Sequence, residues 1–248
     1  MILNLGNLAN ETKDLSIETH WETAAKTRMG KYLTNLETAF INKSISLQTK
    51  NLAIMDVGAE AGRFSLLASK QEATVVSIDL DPYALRRLRL KDKQVNIIQA
   101  DARKLPIRDA IFDIIFMIEV LDYIPELQEA FEECKRALKL DASSILSFGN
   151  KTSLKAKLKS MQGKSYRHSY RQVIDCLKKT GFTICRKTGY SWLPFGRTSQ
   201  SPLVPILAGI ERFLGFRRIV RFSPWVIVHV TKPSEVFKSN SKVLESHK

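Results

Sequence analysis

The stretch Ile54-Met55-Asp56-Val57-Gly58-Ala59-Glu60-Ala61-Gly62-Arg63-Phe64 constrains this chain more than any other. It reads as an apolar strand that closes on an acid, then a glycine-containing turn, then a helix start. That sequence of features receives a nucleotide-type cofactor at the carboxyl end of a parallel strand. Three further strand-like runs follow: Val75-Val76-Ser77-Ile78-Asp79, Asn96-Ile97-Ile98-Gln99-Ala100-Asp101-Ala102 and Phe112-Asp113-Ile114-Ile115-Phe116. Each carries its acid at or near an end, and helix-compatible stretches fill most of the gaps. Strand and helix alternating in this way call for a parallel sheet covered on both faces.

At these residues the chain resembles the class I S-adenosylmethionine-dependent methyltransferases, in particular the group with small-molecule and lipid-like substrates. The resemblance covers about Leu52 to Gly189, with a weaker echo at Trp225 to Val230. It implies a Rossmann-like, doubly wound α/β fold. The sheet is mostly parallel and seven-stranded, with an antiparallel last strand and helices on both faces. It also implies S-adenosyl-L-methionine as cofactor. By position, the first-strand turn at Asp56, Gly58, Ala59 and Gly62 wraps the methionine end. Asp79, followed by Leu80, takes the ribose hydroxyls, and Asp101 with Ala102 borders the adenine. Glu119 stands just past the fourth strand, beside the point of methyl transfer. A carboxylate suits the ribose site on chemical grounds alone, because it accepts two hydroxyl hydrogen bonds without needing a proton. Glu60 departs from the pattern, which has a glycine there; it adds bulk and charge beside the cofactor's carboxylate unless its side chain turns outward.

At 248 residues the chain suits a single α/β domain with a substantial core. We expect an N-terminal helical segment over 1–50, a cofactor-binding core over 51–150, a basic substrate-side part over 151–233 with an insertion at 192–224, and a flexible tail over 234–248. Helices are expected at 17–47, 61–70, 82–91, 125–139 (from Pro125) and 167–179. Strands are expected at 52–58, 74–80, 95–100, 112–118, 143–149, 182–190 and 225–231. The first fifteen residues lack the pattern of a signal peptide, and no apolar run approaches a membrane span. Cys134, Cys176 and Cys185 form no metal-binding pair, and the first and last read as buried thiols. The expectation is a cytoplasmic protein without a metal, with peripheral membrane contact kept open.

Charge divides the chain. Residues 1–150 hold 19 Lys and Arg against 21 Asp and Glu, whereas residues 151–248 hold 20 against 4. A basic acceptor side predicts an anionic partner: a phosphate-bearing small acceptor, an anionic membrane surface or RNA. Within the insertion, Leu203, Ile206, Leu207, Ile210, Phe213 and Leu214 follow helical spacing, and Arg217, Arg218 and Arg221 come directly after. The stripe suits an interfacial helix, a lid over the substrate, or plain core. Glu211 and Arg212 would form its modest polar face.

Methyl transfer from a sulfonium asks mainly for alignment and exclusion of water, so few residues need be catalytic in the strict sense. A hydroxyl acceptor benefits from a general base, for which His168 and His20 are the candidates. Three alternatives stand beside methyl transfer to a small-molecule or lipid-linked acceptor. They are an RNA methyltransferase that uses the basic C-terminal part, a catalytically inactive binding protein marked by Glu60, and, more distantly, a nicotinamide dehydrogenase.

Overall fold

The computed structural model describes residues 17–45, 51–160 and 167–234. The expectations for the first fifteen residues and for most of the 234–248 tail therefore lie outside the described residues, as does Lys164 of the basic linker. The strands are β1 (Ala53–Val57), β2 (Thr74–Asp79), β3 (Asn96–Gln99), β4 (Phe112–Met117), β5 (Leu138–Gly149), β6 (Thr183–Tyr190) and β7 (Trp225–Thr231). They form one sheet in the order β3-β2-β1-β4-β5-β7-β6. Pairing is parallel from β3 to β5, and β7 runs antiparallel to both β5 and β6. This is the mixed seven-stranded arrangement that the resemblance implies.

The strand sequences explain the two-faced burial. In β4, Ile115 and Met117 point to one face while Ile114 and Phe116 point to the other. The first face packs on α5 (Leu127–Ala137) and α7 (Tyr170–Lys179) through Phe131, Cys134, Val173 and Leu177. The second packs on α2 (Arg28–Ser44), α3 (Arg63–Ser69) and α4 (Pro82–Lys91) through Leu33, Phe40, Phe64 and Leu88. Burying apolar side chains on both faces excludes water from the sheet's central strands, whereas edge strand β6 is largely exposed. The order of connection reverses between β1 and β4, and there the carboxyl ends of the strands open into a crevice.

The expected helix over 17–47 is in fact two, α1 (His20–Lys26) and α2, broken at Thr27. Thr27 is extended (φ −71°, ψ 162°), ending one helix while its side chain accepts the Gly30 N–H of the next. Its hydroxyl also donates to the carbonyl of Arg197 at 2.7 Å. The corner is tight: a Cβ built on Gly30 would lie 1.9 Å from the Ala24 carbonyl oxygen. Hydrophobic periodicity carries across such a corner, so the sequence pattern does not reveal it.

Other boundaries shift for local reasons. The helix expected from Pro125 to residue 139 runs only from Leu127 to Ala137, because Ala110 and Ile111 donate to the carbonyls of Arg136 and Ala137 and draw the chain into the sheet. β5 accordingly begins at Leu138, five residues early, and Asp141 N–H pairs with the Lys232 carbonyl beyond β7. The basic linker contains α6 (Leu154–Ser160). There Lys155 is a staple: its ammonium donates to the carbonyls of Leu193 and Phe195 at 2.7 and 3.0 Å. Of the two thiols expected to be buried, Cys134 is and Cys185 is exposed, on edge strand β6 beside a register shift.

Candidate active site

The glycine turn sits at the end of β1. Gly58 and Ala59 both donate to the Ile78 carbonyl, at 2.8 and 3.0 Å, so the turn is held against β2. Gly58 (φ 73°) and Gly62 (φ 90°) occupy the left-handed region, and a Cβ on either would strike Val120 or Leu88. Glu60 adopts the same region, at φ 49°, without being glycine. Its main-chain N–H donates to Asp79 at 2.8 Å, which supports the strained turn. Its carboxylate accepts the Ala61 N–H and bonds Thr19. Burial pushes the Glu60 carboxyl upward in pKa against these two contacts.

Asp79 ends β2 with each oxygen holding one main-chain donor, Glu60 on one and Asp81 on the other (2.9 Å). A carboxylate oxygen has two lone-pair directions, so one on each remains for a ligand. Asp101 is clamped by the Arg103 guanidinium, which also reaches Glu126 and holds the Asp101 carboxyl below its ordinary range. Asp56 is different: it is buried behind the turn and accepts the Ser65 hydroxyl at 2.6 Å, while Ser77 donates to Ser65 at 2.7 Å. Burial pushes its carboxyl up to about 6, although Ser65 and Arg63 pull the other way.

Gly62 packs behind the turn against Leu88, whereas Asp56, Gly58, Ala59, Glu60, Asp79 and Asp101 line one cavity of about 920 Å³, as do Leu80, Ala102 and Glu119. Its volume is at the upper end for small-molecule sites, about 300–1,000 Å³. Helix α1 forms the cover, with Thr19, His20, Trp21 and Glu22 on the wall. Seven residues are too few for a helix to persist alone, so its position comes from outside contacts. Thr19 and Glu22 form a reciprocal capping box. The Glu22 carboxylate then takes two hydrogen bonds from Arg87 (2.7 and 2.9 Å) and one ion pair from Lys91 (2.6 Å). Burial works to raise the pKa of Glu22, but Arg87, Lys91 and the Thr19 N–H together hold it well below the carboxylate range.

The opposite wall is a nearly buried charge cluster. Arg63, the first residue of α3, reaches Glu37 of α2 at 3.0 Å and Glu119 at 3.3 Å. Arg197 closes on the other oxygen of Glu119, with its guanidinium over the Trp21 ring. The Tyr190 hydroxyl donates to Glu37 at 2.7 Å. Glu119 is itself left-handed (φ 62°), and its N–H donates to Ser147 at 2.9 Å. Two carboxylates and two guanidiniums cancel, leaving a polar wall of no net charge. Each buried charge here is paired, as burial requires.

The structure thus brings the sequence-derived cofactor candidates other than Gly62, together with His20, to one cavity and separates them from His168. The His168 ring is buried with Nε2 2.7 Å from the Ile124 carbonyl, outside the cavity wall. Sequence reasoning missed Arg63, Glu37, Arg197 and Trp21. Glu37 did leave a signal: it stands on the buried stripe of α2 beside Leu33, Leu36, Phe40 and Ile41. An acid on an apolar stripe needs a partner.

A glycine turn and strand-end acids, set at the switch point of a 3-2-1-4-5-7-6 sheet, define a methyltransferase-type Rossmann-like protein. Comparison with known proteins agrees. Residues 55–146 match the family model of a methyltransferase domain. An uncharacterized protein of Methanocaldococcus jannaschii is 29% identical over 140 residues, covering 54% of this chain and 60% of that one. The ubiquinone biosynthesis O-methyltransferase of Xylella fastidiosa is 30% identical over 119 residues, covering 46% of this chain and 47% of its own. These matches span less than two thirds of those relatives' length. The crystal structure of an S-adenosylmethionine-dependent methyltransferase from Mesorhizobium loti superposes with a TM-score of 0.60 at 16% identity, covering 79% of this chain and 97% of its own.

Proposed function

We propose that this protein transfers a methyl group from S-adenosyl-L-methionine to a small-molecule or lipid-linked acceptor by in-line displacement. The observation that carries this reading is one cavity that joins the Gly58–Gly62 turn, Asp79 and Asp101-Ala102 to the Arg63–Glu119–Arg197 wall. The residues fit the cofactor. Gly58, on the cavity wall, has no Cβ to crowd it beside Val120, and Asp79 keeps a lone pair on each oxygen for the ribose hydroxyls. Leu80 and Ala102 offer apolar surface for the adenine beside Asp101. Glu60 leaves the reading intact, since its carboxylate is occupied by Ala61 and Thr19.

When bound, the cofactor supplies an electrophilic methyl on a sulfonium with a neutral leaving group. The protein's part is placement. α1 excludes water above the turn, and the neutral charge wall orients the acceptor by directional hydrogen bonds. Glu119 is held in place by two guanidiniums, one on each oxygen. His20 is the cavity histidine and takes the role of base for a hydroxyl acceptor.

Calorimetric titration with S-adenosylhomocysteine tests the cofactor site. Micromolar binding is expected, with Asp79→Ala weakening it by about a hundredfold through two lost charge-assisted hydrogen bonds. Equal affinity of wild type and variant would sink the assignment of Asp79, and no binding to the folded protein would favour a fold kept without catalysis.

A further inference from the structure

The apolar stripe of the insertion faces outward. Helix α8 (Val204–Phe213) turns Val204, Leu207, Ala208 and Glu211 toward the protein. Glu211, expected on the polar face, is 2% exposed and bonds Tyr32 of α2 at 2.7 Å and Arg217 at 3.1 Å. The opposite side presents Leu203, Ile206, Ile210, Phe213 and Leu214 to solvent, with Phe213 88% exposed. The two 3-10 turns that follow, Phe216–Arg218 and Val220–Phe222, add exposed Ile219 and Phe222. Half of the exposed large apolar side chains of the described residues thus lie within one stretch of twenty. Soluble monomers seldom leave so continuous an apolar patch bare.

Charge identifies the occupant. The insertion over 192–224 contains five arginines and one acid, Glu211, which is buried and paired. Arg212, Arg218 and Arg221 are exposed around the apolar patch. Arg212 and Arg218 make no ion pair among the described residues, and the Arg221 guanidinium lies over the Phe222 ring. A second copy seated here would bring like charges together across the contact, whereas an anionic bilayer would neutralise them. An apolar face rimmed by arginine is the pattern of a helix lying in the headgroup region. No helix among the described residues is long and apolar enough to cross a membrane, so the contact is peripheral.

We infer that α8 and the two turns after it dock the protein on an anionic phospholipid surface. The docked face adjoins the cavity: α2 places Lys31 on the cavity wall and Tyr32 against α8, and cavity-lining Arg197 leads into the same insertion. An acceptor carried by a membrane lipid therefore lies within reach. That last step rests on the methyl-transfer reading; the docking does not.

Vesicle co-sedimentation of the purified chain, without cofactor, tests it. Binding to vesicles containing phosphatidylglycerol is expected, with much weaker binding to pure phosphatidylcholine and a fall as salt rises. Exchanging Arg212, Arg218 and Arg221 for glutamine should weaken binding by about a hundredfold, at about fivefold per arginine. Phe213→Ser with Ile210→Ser should weaken it by at least about tenfold. All five side chains are exposed, so the melting temperature and S-adenosylhomocysteine affinity serve as controls that should not move. Equal binding to both vesicle types would overturn the inference. So would sedimentation equilibrium showing a dimer that Phe213→Ser disrupts, or RNA-oligonucleotide binding that needs the arginines but not the apolar residues, with no vesicle binding. Vesicle binding together with failure to bind S-adenosylhomocysteine would leave the docking standing and remove the methyl-transfer reading.

Discussion

Asp56 shows how a buried carboxylate behind a cofactor turn sets a pH dependence. Its folded pKa, about 6, stands above the unfolded carboxylate value of about 3.9. The folded state therefore binds the proton more tightly, and the contribution of Asp56 to stability is fully present below about pH 4. It is lost as pH rises toward 6 and then levels, for a total of about 3 kcal/mol. Urea unfolding of wild type and Asp56→Asn at about pH 4 and about pH 7 checks the sign: the variant should gain stability relative to wild type as pH rises. A constant difference between the two would mean that the carboxylate is not penalised by burial. The two histidines separate in another way. His168→Ala should cost about 1–2 kcal/mol, through the hydrogen bond to the Ile124 carbonyl, and leave kcat unchanged. His20→Ala should leave stability alone and lower kcat by about a hundredfold with a hydroxyl acceptor. Thermal melting beside initial rates distinguishes them.

At the scale of elements, the closing of the cavity depends on α1, which the sheet does not need. Its hold on α4 is concentrated in Glu22, through Arg87 and Lys91. Because the Glu22 carboxyl is depressed, this hold is present above the ordinary carboxylate range and fades only as pH falls through its lowered folded pKa. Arg87→Ala should leave Glu22 with Lys91 alone and cost about 1–3 kcal/mol locally. Amide exchange over residues 17–26 should then quicken, and S-adenosylhomocysteine should leave about tenfold faster, while the global melting temperature moves little. Unchanged exchange in that segment would show that the contacts other than Arg87 hold α1 without it. Helix α8 gives the complementary lesson. Its spacing predicted an amphipathic helix, but spacing cannot say which face is wet, and here the buried stripe is the shorter one.

Across the whole molecule, what could be read from the sequence followed how local the cause was. The sheet and one edge of the cavity were legible because strand, acid, turn and helix lie in immediate succession; Asp56, Gly58, Asp79 and Asp101 come together without any long-range guess. The charged wall was legible only at Glu119, because its partners Glu37, Arg63 and Arg197 come from separated segments that only folding brings to it. The break at Thr27 and the early start of β5 escaped for the same reason. The first answers to the Arg197 carbonyl and the second to Lys232, each about ninety residues or more away.

The corner at Gly30 bears on how this chain can change over time. The pitch of the cover over the cavity is fixed by a missing methyl group, since any side chain at position 30 would be driven into the Ala24 carbonyl and swing α1 off its seat. Drift can alter most of the surface of α2 at little cost. At this one position it meets a wall, and a variant there would be lost for the way it opens the cavity before it was lost for stability.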